Sequence, residues 1–145
     1  MGPIGVNSLA QLLGPFDARL FIFSEASEMI HKLFFDGSEK AYGFLLDGEA
    51  HTYLHDEEVT TIESESLALL AGLKRASELQ LQELEIIGDS QVVLNQVLGV
   101  AKARGSTQRR INSEIRAYLD LIPHFRINWV PRHLNKADDI SRPPD

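Results

Sequence analysis

Along this chain the spacing of apolar residues changes period more than once, and that change restricts the fold more than any other feature. From His31, Leu33 and Phe35 alternate with Lys32, Phe34 and Asp36, the two-residue repeat of a strand. Ala41 to Leu46 and Glu49 to His55 are two more strand-like runs, joined by Asp47-Gly48, a dipeptide suited to the positive φ angles of a tight hairpin. From Glu65 to about Leu79 the repeat becomes helical. Leu67, Leu70 and Ala71 together with Leu69, Leu73 and Ala76 make an apolar surface too wide for an outer helix, so a largely buried central helix is expected. Leu84 to Ile87 is a short apolar run ending at Gly88-Asp89; reached through a helical crossover, it should run parallel to the first strand. Ser90 to Leu98, stopped by Gly99, and Ser106 to Ile122, closed by Pro123, read as helices, the second with Ile111, Ile115, Tyr118, Leu119 and Ile122 on one stripe. Arg126 to Val130 is the last strand, with a short helical turn beyond it. The fold class is therefore α/β: a mixed five-stranded sheet, three antiparallel strands then two parallel, with helices on both faces.

A chain of 145 residues with 43% hydrophobic content suits one globular domain. Residues 31–145 are assigned to it, and residues 1–30 form an N-terminal extension with no assigned role. Within the extension, Ser8 to Leu13 reads as a short helix and Leu20 to Phe23 as a strand, separated by a Gly14-Pro15 break. The absence of cysteine excludes a disulfide scaffold and a thiolate metal site. No signal-peptide pattern and no bilayer-length apolar stretch of roughly 20 residues is present. A cytoplasmic protein with no membrane partner is expected.

The net charge of −7 argues at first against a polyanion as partner. Its distribution argues the other way. Between Val100 and Lys136, eight Lys and Arg residues face only Glu114 and Asp120, a net +6, while the rest of the chain carries −13. Such a split within one domain suggests a phosphate-facing side opposite a solubilising one.

Four acids stand where this order of elements brings chain ends together: Asp36 ends the first strand, Glu65 opens the central helix, Asp89 ends the fourth strand, and Asp138 follows the fifth. Each has an ordinary role if taken alone: a turn, a helix-terminus charge or a cap. Four independent caps would have no reason to converge on one sheet edge. Parallel pairing of the first and fourth strands puts Asp36 and Asp89 at the same carboxyl edge, where sites in α/β sheets form. Carboxylates that close repel one another unless cations lie between them, and hard oxygen donors suit Mg²⁺ or Mn²⁺ better than Zn²⁺.

The segments Phe35-Asp36-Gly37-Ser38, Glu65 to Leu73, Gly88 to Gln96 and Val130 to Asp138 resemble, in order, the conserved blocks of type 1 ribonuclease H. The likeness covers roughly residues 31–142 and is greatest to the compact branch with plant, archaeal and retroelement members. It implies a metal-dependent endonuclease that hydrolyses the RNA strand of RNA/DNA hybrids, leaving 5′-phosphate and 3′-hydroxyl ends. It further implies two Mg²⁺ or Mn²⁺ ions roughly 4 Å apart. Asp36 would bridge both ions, Asp89 and Glu65 would help hold one, and Asp138 the other. Glu63 competes with Glu65 for its place, and Asp139 with Asp138. His133 matches a mobile histidine that assists proton transfer or product release, with Arg132 as its rival. Gln91 matches a minor-groove contact to the hybrid. Substrate binding is also assigned to Arg132, Lys102, Arg104, Arg109 and Arg110, the last four in place of the basic handle of longer members. No obligate protein partner is evident.

The chain departs from the family pattern in two places. Thr61 and Ile62 stand where a pair of asparagines commonly precedes the catalytic glutamate, and the loop after the first Asp is shortened to Gly37-Ser38-Glu39-Lys40. Other readings are a DNA exonuclease or junction resolvase of the same superfamily, and a non-catalytic nucleic-acid-binding domain from a reverse transcriptase.

Overall fold

The computed structural model describes residues 30–141; the helix and strand expected within residues 1–30 lie outside them. The elements are β1 (His31–Gly37), β2 (Ala41–Leu46), β3 (Glu49–Leu54), α1 (Thr61–Glu78), β4 (Glu83–Gly88), α2 (Gln91–Val97), α3 (Ser106–Leu119) and β5 (His124–Trp129). Two 3₁₀ turns follow, Arg132–Leu134 and Asp138–Ser141. They build one five-stranded sheet of order β3-β2-β1-β4-β5, in which β1–β2 and β2–β3 are antiparallel while β1–β4 and β4–β5 are parallel. Asp47 and Gly48 adopt φ values of 49° and 87°, the left-handed pair that a two-residue hairpin between β2 and β3 requires.

Helical segments cover the two sheet faces unequally. On one face α1 lies over β1 and β2, with α2 and α3 beside it. Ala68, Leu69, Leu73 and Ala76 of α1 meet Leu33, Phe35, Phe44, Leu84, Ile86 and Ile127 in the main core. Fully burying each large apolar side chain contributes about 1.5–3 kcal/mol, which is what holds the helix down. Gly72 permits the close approach: a Cβ there would stand 2.5 Å from Leu33 Cδ1. On the other face the turn Asp138–Ser141 packs on β1 and β2, where Phe34, Ile87 and Ala137 form a smaller apolar cluster with Ile140 against it. Phe34, which alternation placed with Lys32 and Asp36, is thus a core residue of this second layer.

Several boundaries differ from those read off the sequence. Helix α1 begins at Thr61, four residues before Glu65, because Thr60 caps it. The Thr60 hydroxyl accepts from Glu63 N at 3.0 Å, and Thr60 N donates to the Glu63 carboxylate at 2.9 Å. Glu65 therefore lies in the second turn and does not open the helix. Helix α3 stops at Leu119 and not at Ile122; Ile122 is fully buried, but as part of the turn that follows, with its N–H on Leu119 O. Strand β5 starts at His124, opposite Glu83, and ends before Val130.

Among the described residues no helix is long and apolar enough to cross a membrane.

Candidate active site

Strands β1 and β4 pair in register from His31↔Leu84 to Phe34↔Ile87, so their carboxyl ends emerge side by side. Asp36, two residues beyond that pair on β1, is 6% exposed; Asp89 follows the last residue of β4 and is half-buried. Helix α1 crosses above them and presents Glu65, 8% exposed. Carboxylate oxygens of Asp36, Glu65 and Asp89 all lie within 4.8 Å of one another. The helix can come this close because residue 37 is glycine: a Cβ there would stand 2.5 Å from Glu65 N and 2.6 Å from Ser64 Oγ.

The electrostatics of the cluster show at Glu65. Burial, first of all, pushes its carboxyl up to about 7, and the neighbouring Asp89 and Asp36 charges push the same way. A hydrogen bond from the Ser90 hydroxyl and the charge of Arg132 pull it down, without prevailing. Three carboxyl groups so placed, all oxygen donors, fit a hard divalent cation.

Of the competing acids, Glu63 is engaged in the α1 cap and stands outside the cluster, whereas Glu65 is inside it. Asp138 opens the second 3₁₀ turn and is half-buried, while Asp139 is exposed. Asp138 is not one of the three converging carboxylates. Arg132 and His133 are both exposed on the first 3₁₀ turn, and of the two it is Arg132 whose charge is felt at Glu65. Gln91 is exposed at the start of α2, next to Ser90, whose hydroxyl also accepts from Val93 N at 3.2 Å to cap that helix.

Apart from Arg132, the basic residues assigned to substrate separate into two pairs. Lys102 and Arg104, exposed between α2 and α3, line a cavity of about 440 Å³ with Thr60, Ile62, Glu63, Val92, Gln96 and Gln108. Arg109 and Arg110 are exposed on the first turns of α3, outside that cavity. A polar chain fixes this region to α1: buried Gln108 donates to Ser66 Oγ at 2.8 Å and to Asn112 Oδ1 at 2.9 Å, and Asn112 donates to Gln96 Oε1 at 2.9 Å.

Two side chains of the site were given no role in the sequence. Trp129 Nε1 donates to the carbonyl of Asp89 at 3.0 Å. Asn135, 4% exposed, donates to the carboxylate of Asp89 at 3.0 Å. Asn135 stood within a motif block, but nothing in its spacing said which acid it would meet.

The family model described as reverse transcriptase-like matches residues 45–141, more than half of the chain. The chain belongs to this reverse transcriptase-like family, within the ribonuclease H-like superfamily and of type 1. The ribonuclease H-like fold recurs in solved structures. Ribonuclease H1 of the halophilic archaeon Halobacterium salinarum superposes with a TM-score of 0.69 at 27% identity, over 76% of this chain and 92% of that one. The N-terminal ribonuclease H domain of a Mycobacterium tuberculosis protein gives 0.70 at 22% identity, over 77% and 89%. The LC11 ribonuclease H1, solved in complex with an RNA/DNA hybrid, gives 0.64 at 17% identity, over 77% and 91%. The last two share the fold alone with this ribonuclease H-like chain. No curated protein matches it in sequence.

Proposed function

We propose that this chain is an endonuclease that hydrolyses the RNA strand of RNA/DNA hybrids, leaving 5′-phosphate and 3′-hydroxyl ends. The observation that carries the proposal is the convergence of Asp36, Glu65 and Asp89 within 4.8 Å at the carboxyl edge of β1 and β4. The likeness to ribonuclease H1 of H. salinarum supports the substrate class.

Asp36, Glu65 and Asp89, joined by Asp138, would hold two Mg²⁺ or Mn²⁺ ions, whose chemistry is to activate water and to stabilise the leaving 3′-oxygen. Around them this chain's own groups divide the remaining work. Arg132 supplies positive charge beside Glu65. His133, exposed one residue further on, is the group for proton transfer or product release. Gln91 reads the minor groove, where the 2′-hydroxyls distinguish RNA from DNA. Lys102, Arg104, Arg109 and Arg110 meet phosphates. In this reading residues 31–145 are the catalytic domain, residues 1–30 an extension to it, and the cytoplasm its place of action.

The test is an assay of end-labelled RNA/DNA hybrid, duplex DNA, duplex RNA and single strands with Mg²⁺, Mn²⁺ or chelator. Internal, metal-dependent cuts confined to the hybrid are expected, and Asp36→Asn and Asp89→Asn should abolish them. Cutting that survives both substitutions would remove the proposed site; cutting of duplex DNA in preference would move the chain to another substrate.

A further inference from the structure

Asn135 sits between the two 3₁₀ turns with all sides of its amide engaged. Its Nδ2 donates to Phe35 O at 2.9 Å and to Asp89 Oδ2 at 3.0 Å, and its Oδ1 accepts from Ala137 N at 3.0 Å. The orientation follows from the partners: turned by 180°, the amide would set its oxygen against two other oxygens and its NH₂ against an N–H. Each partner belongs to a segment that carries one of the acids. Phe35 precedes Asp36 on β1, Asp89 is itself in the cluster, and Ala137 precedes Asp138. Two donors and one acceptor in this arrangement cannot be supplied by aspartate, serine or alanine.

The carboxylates of Asp36, Glu65 and Asp89 repel one another, so an Asp89 side chain with nothing holding it would turn away from the other two. We propose that Asn135 is a positioning residue: by fixing one oxygen of Asp89, the end of β1 and the turn bearing Asp138, it sets how tightly the cluster binds a divalent cation. This rests on the reading of the cluster as a metal site. Groups that orient metal ligands in this way change metal affinity by about 10- to 100-fold when removed.

Calorimetric titration of the protein with Mn²⁺, in the absence of nucleic acid, compares wild type with Asn135→Ala and Asn135→Ser. Serine keeps an oxygen for the Ala137 N–H and so preserves the local turn, but cannot reach Asp89 and Phe35 together. Thermal melting in chelator is followed in parallel, and hybrid cleavage is measured as a function of Mn²⁺ concentration. Both variants should melt cooperatively, bind Mn²⁺ about 10- to 100-fold more weakly, and recover cleavage as Mn²⁺ is raised. Variants that melt earlier yet bind Mn²⁺ within twofold of wild type would overturn the inference, leaving Asn135 a structural residue and the metal-site reading untouched. Loss of cooperative melting in both would overturn it equally. A wild-type protein that binds no Mn²⁺ would overturn the metal-site reading and this inference with it.

Discussion

The indole of Trp129, the last residue of β5, donates from Nε1 to the backbone carbonyl of Asp89 at 3.0 Å, joining the end of one parallel strand to the acid that follows its neighbour. Because the chain has a single tryptophan, its emission reports on this edge alone. Adding Mn²⁺ should quench that emission, with a midpoint equal to the one found for cleavage. Trp129→Phe should lower stability by about 1 kcal/mol in urea unfolding, the size of one hydrogen bond, and reduce cleavage as Asp89 loses its anchor. Emission indifferent to metal at concentrations that support cleavage would contradict this placement.

The raised Glu65 carboxyl makes stability depend on pH in a defined direction. A glutamate in the unfolded chain titrates near 4.5, whereas burial and the Asp89 and Asp36 charges put Glu65 at about 7 in the fold. The folded state therefore holds the proton more firmly. The stability linked to it is complete below about 4.5 and is lost as pH rises through about 7, a change of about 3 kcal/mol. In chelator, the melting temperature of wild type should fall between pH 5 and 8, while Glu65→Gln, neutral throughout, should fall less and melt higher than wild type at pH 8. Metal displaces the same proton, so Mn²⁺ affinity should climb with pH and level off above about 7. A flat metal-free profile for wild type would refute the shift.

The sheet was legible because period and turn chemistry agree in it: alternation in β1, the Asp47-Gly48 pair between β2 and β3, and an apolar β4 whose helical crossover makes it parallel to β1. Helix starts were less so. Apolar periodicity begins at Leu67, but the helix begins where Thr60 and Glu63 satisfy its first amides, and that polar exchange carries no apolar signal. The same exchange engages Glu63 in the helix cap, a contact that spacing alone does not show. Asp36 and Asp89 were legible from parallel pairing. Asn135 and Trp129 were not, since their roles depend on contacts with residues 46 and 40 positions away.

Gly37 tests how much the cluster depends on the approach of α1 to β1. A Cβ at this position would lie 2.5 Å from both Glu65 N and Ser64 C, backbone atoms that cannot yield without moving the helix. Gly37→Ala should therefore separate Glu65 from Asp36, lowering melting temperature and abolishing Mn²⁺ binding. Gly48→Ala is the control, because nothing lies within 4 Å of its Cβ and only the positive φ of 87° opposes it. It should cost about 1 kcal/mol and leave Mn²⁺ affinity unchanged. Equal effects of the two substitutions on metal binding would show that the close approach at Gly37 is not what assembles the site.

The basic side of the molecule is tested through salt. Lys102 and Arg104 line one cavity with the α1 terminus, and Arg109 and Arg110 stand exposed on α3, while the chain as a whole is acidic. If these four meet the phosphate backbone, hybrid affinity must fall steeply as salt rises, and each neutralising substitution must reduce the slope of log affinity against log salt by about 1. Lys102→Ala and Arg104→Ala should weaken binding alike for hybrids of different sequence, since a phosphate contact carries no sequence information. Neither should change Mn²⁺ affinity, because neither side chain belongs to the Asp36, Glu65 and Asp89 cluster. Binding measured by anisotropy at several salt concentrations, with catalysis blocked by chelator, separates these effects. A salt slope unaltered in all four single variants would place the hybrid on another surface, despite the net +6 of residues 100–136.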